Sequence, residues 1–138
     1  MALFSRKKTL GVQSLVIKIV NNNCPELKAL IEGPRSDSRV NLVMVAIVIP
    51  LEKDKLLIQK AFTAITKEFS TTGVALVLDG PLPLDHVILG FRFEGEMNFV
   101  HAQAKHLSPM GGGFFQLGFQ LLELASPSDY PQLESMSF

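Results

Sequence analysis

The stretch that decides the fold is residues 40–49, which read Val-Asn-Leu-Val-Met-Val-Ala-Ile-Val-Ile. Valine and isoleucine dominate it, and their branched side chains suit pleated, half-buried positions. Pro50 then interrupts the apolar run. The stretch therefore predicts a buried β-strand, and the rest of the chain can be interpreted outward from it.

Further β-patterned runs follow this strand, with glycine and proline between them. They cover residues 61–68, 74–78, 87–93, 99–107 and 114–124. Glu94-Gly95-Glu96 is typical of a tight hairpin, and Gly111-Gly112-Gly113 turns the chain again. Short strands at regular spacing predict an antiparallel β-barrel, which also removes exposed sheet edges.

The ends of the chain carry weaker patterns. Residues 15–20 fit a strand or a helix equally well, and Pro25 can begin a short helix that Gly33 ends. A short helix after Ser128 would put Tyr130, Leu133 and Met136 on one side. We therefore divide the chain into an N-terminal tail and accessory element (1–32), a β-domain with its loop (33–125) and a C-terminal tail or short helix (126–138).

Composition limits the possible partners. The 138 residues contain 13 Lys+Arg and 13 Asp+Glu, so no overall field favours a nucleic acid polymer or a membrane surface. The longest apolar run is far short of the roughly 20 residues of a spanning helix, so we expect no membrane insertion. The single cysteine, Cys24, excludes an intramolecular disulfide and fits a reducing compartment. We expect a cytoplasmic protein.

No catalytic constellation is visible in the sequence. His101 and His106 are five residues apart, which predicts opposite faces of a strand, and neither has a carboxylate at a useful spacing. Gly111-Gly112-Gly113 lacks the lysine and hydroxyl residue of a phosphate-binding loop. We expect no enzyme activity, no cofactor and no metal site.

Two short motifs flank the deciding strand. The first is Arg35-Ser36-Asp37-Ser38-Arg39, in which two arginine forks could grip phosphate oxygens or the O6/N7 edge of guanine. An ordinary alternative is a solvated loop in which Asp37 pairs with one arginine. The second is Glu68-Phe69-Ser70-Thr71-Thr72-Gly73, which also fits an ordinary turn with hydroxyl-to-backbone hydrogen bonds.

Together, in this order, the motifs resemble the signature of PilZ domains, which are small β-barrels that bind the bacterial second messenger cyclic di-GMP. The resemblance covers residues 33–124 and implies a six-stranded antiparallel PilZ-like β-barrel. It assigns ligand binding to Arg35, Arg39, Glu68, Ser70 and Gly73. Glu68 stands where the family usually has aspartate or asparagine and would accept from the guanine N–H edge. Ser70 would add a hydrogen bond, and Gly73 would permit a turn with positive φ.

The resemblance implies a cytoplasmic cyclic di-GMP receptor that couples second-messenger binding to a protein partner. The arginine loop would fold over the ligand and change the surface offered to that partner. One alternative is a degenerate PilZ-like interaction module that does not bind the nucleotide. A more distant alternative is an enzyme, such as a barrel that uses a flavin.

Overall fold

The computed structural model describes residues 11–19 and 39–137. Within them, residues 11–19 form helix α1, and eight strands follow. The strands are β1 (Val40–Asn41), β2 (Val45–Glu52), β3 (Lys55–Leu56), β4 (Phe62–Phe69), β5 (Gly73–Leu78), β6 (His86–Phe93), β7 (Glu96–Gly111) and β8 (Phe114–Ala125). Two 3-10 turns cover Ile58–Lys60 and Pro131–Ser135. The short helix predicted to begin at Pro25 lies outside the described residues.

All strand pairs are antiparallel, as the sequence predicts. The six longer strands pair in a closed circuit, in the order β2, β4, β5, β8, β7, β6 and back to β2. β1 adds to the end of β4, and β3 adds to the end of β2. The expected count of six strands is therefore wrong, because the described residues contain two additional strands of two residues each.

The tight turns explain one of the extra strands. Lys53 and Asp54 have φ values of 51° and 63°, and this left-handed turn folds β3 back onto β2. Glu94 and Gly95 have φ values of 53° and 79° and form the predicted hairpin between β6 and β7. Paired positive φ values match the right-handed twist of the flanking strands. Lys53-Asp54 contains no glycine or asparagine, so the sequence carries little signal for that turn.

The predicted strand 40–49 is interrupted at residues 42–44. There the Thr66 side chain on β4 forms hydrogen bonds with the backbone in place of regular strand pairing. The Thr66 side chain is fully buried. Its Oγ1 donates to the Leu42 carbonyl at 2.5 Å and accepts from the Met44 amide at 2.9 Å. The Thr66 amide also donates to the Met44 carbonyl at 2.9 Å. Leu42 and Met44 therefore keep hydrogen-bond partners for their backbone groups although residues 42–44 leave the strand.

The larger apolar core lies inside the circuit of strands, and α1 packs against it. Val12, Val16 and Ile19 recur at helical spacing and are 1–2% exposed, and residues 15–19, for which the sequence fits a strand or a helix, are helical. Phe69 and Phe91 meet within this core with ring centroids 5.7 Å apart. No helix within residues 11–19 and 39–137 has the length and apolar character needed to cross a bilayer.

A second, smaller core covers part of the outer face of the sheet. The 3-10 turn Pro131–Ser135 contributes Leu133 to it, and the other buried members are Ile47, Ile49, Leu56, Ile88 and Phe99. Strands β2 and β6 are therefore buried on both faces, which explains their continuous apolar sequences. The C-terminal segment is a 3-10 turn rather than an α-helix.

Candidate functional site

Four residues from four strands lie in one row across the outer face of the sheet. Glu68 of β4 pairs with Ala75 of β5, Ala75 pairs with Gly118 of β8, and Gly118 pairs with His106 of β7. The chain neighbours of Ala75 and Gly118 belong to the larger core, so this row faces outward. Three strand spacings separate Glu68 from His106, or about 14 Å at about 4.8 Å each.

The row forms a trough, because its two central residues have almost no side chain. Ala75 and Gly118 make the floor, Glu68 stands on the near wall with Arg39, and His106 stands on the far wall with Lys105. The trough has a volume of about 450 Å³. That size is within the range of about 300–1,000 Å³ found for small-molecule sites.

The turn between β4 and β5 closes one end of the trough. The Ser70 amide donates to the Gly73 carbonyl at 2.9 Å, and the Ser70 Oγ accepts from the Thr72 amide at 3.4 Å. Ser70, Thr72 and Gly73 all line the trough. The ordinary role of Ser70 in the turn is therefore present, and the same hydroxyl borders the site.

Position 73 requires glycine because the backbone of β8 lies too close for a side chain, and not because of the backbone angle of the residue. The prediction that it adopts a positive φ is wrong, since its φ lies outside that region. A Cβ at this position would lie 2.8 Å from the Phe119 carbonyl oxygen on β8. Only glycine lets β5 approach β8 this closely at the end of the trough.

Arg39 and Glu68 meet on the near wall. Arg39 Nη1 donates to Glu68 Oε1 at 3.1 Å, although the residues are 29 positions apart. The Arg39 side chain is 70% exposed and the Glu68 side chain is 20% exposed. The trough thus brings together Arg39, Glu68, Ser70 and Gly73, whereas Arg35 lies outside the described residues.

Four polar residues that line the trough belong to neither sequence motif. They are Lys105 and His106 on β7, and Gln116 and Gln120 on β8. Lys67, beside Glu68, donates to the Gln116 Oε1 at 2.8 Å. These residues belong to the site only because of the register of β5, β8 and β7, and no local motif marks that register.

A separate histidine pair corrects the interpretation of the histidines. His86 Nδ1 and His101 Nε2 are hydrogen-bonded at 2.9 Å, and His101 Nδ1 lies 3.9 Å from Glu123 Oε1. His101 therefore does have a carboxylate neighbour. Burial lowers the pKa of His101, and the nearby His86 lowers it further, whereas Glu123 and Asp54 act in the opposite direction.

His101 and His106 face the same side of the sheet, so the prediction of opposite faces is wrong. The ladder between β7 and β8 shifts by one residue between Ala104 and His106, which leaves Lys105 as the extra residue of a bulge. An odd insertion reverses the alternation of side chains. Among the described residues, no three His, Cys, Asp or Glu side chains are placed to hold a metal ion.

The fold is similar to that of a solved structure from Bacillus subtilis, the inhibitor of motility MotI/DgrA. The TM-score is 0.50 at 15% sequence identity, over 72% of this chain and 51% of the other. This chain thus spans about half the length of that protein. The similarity supports a PilZ-like fold. No protein-family model matches the sequence, and no curated protein matches it either.

Proposed function

We propose that this chain is a cyclic di-GMP receptor of a bacterial cytoplasm, which couples ligand binding to a protein partner. One observation carries the proposal. Four residues to which the PilZ resemblance assigns ligand contacts border a single trough of about 450 Å³, namely Arg39, Glu68, Ser70 and Gly73. Three of them share one turn, whereas Arg39 lies 29 positions from Glu68 along the chain, and a chance match of the two motifs would not be expected to bring Arg39 to the same pocket.

The chemistry of the near wall suits a guanine nucleotide. The Glu68 carboxylate can accept from the N–H edge of a guanine, and the Arg39 guanidinium can donate a fork of N–H groups to phosphate or to the O6/N7 edge. We propose that Arg35 adds a second fork, on the evidence of its spacing from Arg39. Gly73 keeps the end of the trough free of a side chain.

The ion pair between Arg39 and Glu68 is weak enough for a ligand to replace it. Exposed pairs contribute only about 0–1 kcal/mol to stability, because solvent screens the charges and both side chains lose rotamer freedom. Arg39 is largely exposed in this pair. A ligand would give Arg39 a phosphate and Glu68 a guanine edge in place of this weak ion pair. The exchange therefore favours the complex.

We further propose that the ligand is bound and released unchanged. The groups that line the trough are suited to recognition of charge and of base edges. Chromatography of cyclic di-GMP after long incubation should detect no linear product. Linear product that scales with protein concentration and survives further purification would contradict this part of the proposal.

Calorimetric titration with cyclic di-GMP tests the function directly. Saturable binding is expected for the wild type, with GMP and linear pGpG as matched comparison ligands. A wild type that produces no binding heat with cyclic di-GMP would refute the receptor. The chain would then be a PilZ-like interaction module that does not bind the nucleotide.

A further inference from the structure

We propose that Lys105 and His106 bind the distal half of the ligand, so that the ligand lies across β4, β5, β8 and β7. This inference rests on the proposed function and adds a second contact region that lies outside both sequence motifs. In this arrangement Lys105 contacts a phosphate of a guanine dinucleotide. The His106 ring packs on, or hydrogen-bonds to, the base that lies farther from Arg39.

A β-bulge places both residues at the trough. Lys105 has no partner residue in the ladder between β7 and β8, which shifts between Ala104 and His106. Such a bulge bends the strand and redirects side chains, and bulges are common beside binding sites. Lys105 and His106 are both exposed and both line the trough. Within the described part of the chain, no carboxylate pairs with Lys105.

A second bulge lies on the near wall of the trough, directly before Glu68. The ladder between β4 and β5 shifts between Thr66 and Glu68, which leaves Lys67 as the extra residue. Lys67 is engaged by Gln116, whereas Arg39 is engaged only by Glu68 among the described side chains. The trough therefore has a cation on each wall, Arg39 near and Lys105 far, with a small-residue floor between them.

The distance between the walls selects a ligand with two nucleotide units. The row from Glu68 to His106 spans about 14 Å, which is three strand spacings. A single nucleotide bound through its base at Glu68 would leave Lys105 and His106 without a partner. A compact dinucleotide with two phosphates and two bases can occupy both walls, with one flat base against Ala75 and Gly118.

The floor offers an independent way to test the orientation of the ligand. A Cβ added at Gly118 would have the His106 carbonyl oxygen, 3.8 Å away, as its nearest neighbour, which is an ordinary contact. Gly118→Ala should therefore preserve the fold. A larger side chain, as in Gly118→Leu, would occupy the space between the walls.

The experiment is calorimetric titration of cyclic di-GMP into the wild type, Lys105→Gln, His106→Ala, Gly118→Ala and Gly118→Leu. Lys55→Gln is the matched control, because Lys55 is an exposed lysine on β3 away from the trough. Loss of a charge-assisted contact should weaken binding about tenfold or more in Lys105→Gln, and Lys105→Arg should retain most of it. Gly118→Leu should bind least, whereas Lys55→Gln should match the wild type.

The dependence of affinity on salt concentration is a second measurement. A change in the stability of the fold alone would not alter it in the same way. Lys105→Gln should flatten the dependence of affinity on salt concentration, because one cation–phosphate contact is lost. If the wild type binds while Lys105→Gln, His106→Ala and Gly118→Leu all bind equally well, this inference is overturned and the proposed function stands. If the wild type does not bind, both fail. Circular dichroism of each variant confirms that the protein titrated is folded.

Discussion

Arg39 and Glu68, two residues assigned to the same ligand, are bonded to each other, with Arg39 Nη1 3.1 Å from Glu68 Oε1. Each side chain therefore has a partner in the ligand-free molecule. The pair holds the Arg39 guanidinium above the near wall of the trough at a small energetic gain. Ligand binding would replace this contact, so substitutions at either residue change both the free and the bound state.

Arg39→Ala should weaken binding of cyclic di-GMP by roughly tenfold to more than a hundredfold. The reason is the loss of a bidentate contact that contributes about 1–3 kcal/mol. Arg39→Lys should restore binding only in part, since lysine lacks the planar fork. Calorimetry measures the effect, and Arg92→Ala, an exposed arginine on β6, is the control. Equal affinities of Arg39→Ala and Arg92→Ala would exclude Arg39 from the site.

Glu68→Asp and Glu68→Asn should hold or improve the affinity for cyclic di-GMP, because each has the shorter side chain usual in PilZ domains. Glu68→Asn also removes the charge that pairs with Arg39, which leaves the guanidinium available to the ligand. Glu68→Ala should lose about 1–3 kcal/mol of binding free energy, since ligand donors are left without an acceptor. Titration of the three variants beside the wild type decides the role. Three affinities within error of the wild type would mean that Glu68 only pairs with Arg39.

Gly73→Ala should lower the free energy of unfolding by about 1–3 kcal/mol, as overpacking does elsewhere. The added Cβ would meet the Phe119 carbonyl oxygen at 2.8 Å, and this oxygen belongs to the backbone of β8. Gly80→Ala is the control, because a Cβ there has no neighbour within 4 Å. Urea unfolding compares the two variants. A Gly73→Ala protein as stable as Gly80→Ala would show that β5 and β8 separate easily.

Acid should destabilise the protein through His101. Burial, assisted by His86, lowers the pKa of His101 from its ordinary value of 6.5. The unfolded chain therefore binds this proton more readily, so the contribution to stability is full above pH 6.5 and decreases as the pH falls through the lowered pKa of the folded state. Urea unfolding between pH 8 and pH 5 should have a steeper pH dependence for the wild type than for His101→Gln.

His106→Gln is the matched control for that measurement, since His106 is exposed and lies outside the hydrogen-bonded pair of His86 and His101. It should keep the pH dependence of the wild type. Parallel curves for the wild type and His101→Gln would mean that other groups cause the acid sensitivity.

The four described residues that the motifs assign to the ligand come together because they are neighbours along the chain or across one strand pair. Glu68, Ser70 and Gly73 belong to one turn between neighbouring strands, so a short motif carries their whole arrangement. Arg39 precedes β1, which pairs with the end of β4 that bears Glu68. A short sequence motif is sufficient to predict such an arrangement when its residues are close together along the chain or across one strand pair.

The far wall could not be predicted in this way. Lys105 and His106 reach the trough through the pairing of β7 with β8 and of β8 with β5, and a single-residue bulge sets their direction. Register over such distances depends on packing of the whole sheet rather than on local propensity. The same reason explains the break at residues 42–44, which a hydroxyl from β4 creates.

That hydroxyl has a mechanical consequence. Thr66 anchors both Leu42 and Met44 to β4. The start of β2, at Val45, is therefore held in place by the residues that precede it. In the proposed receptor, a rearrangement around Arg39 that stops at β1, which pairs with β4, leaves the strand circuit undisturbed. In the proposed receptor, the Thr66 hydrogen bonds thus separate the surface around Arg39 from the core inside the strand circuit. A partner that senses the ligand would read the outside of the molecule near Arg39 rather than a change transmitted through its core.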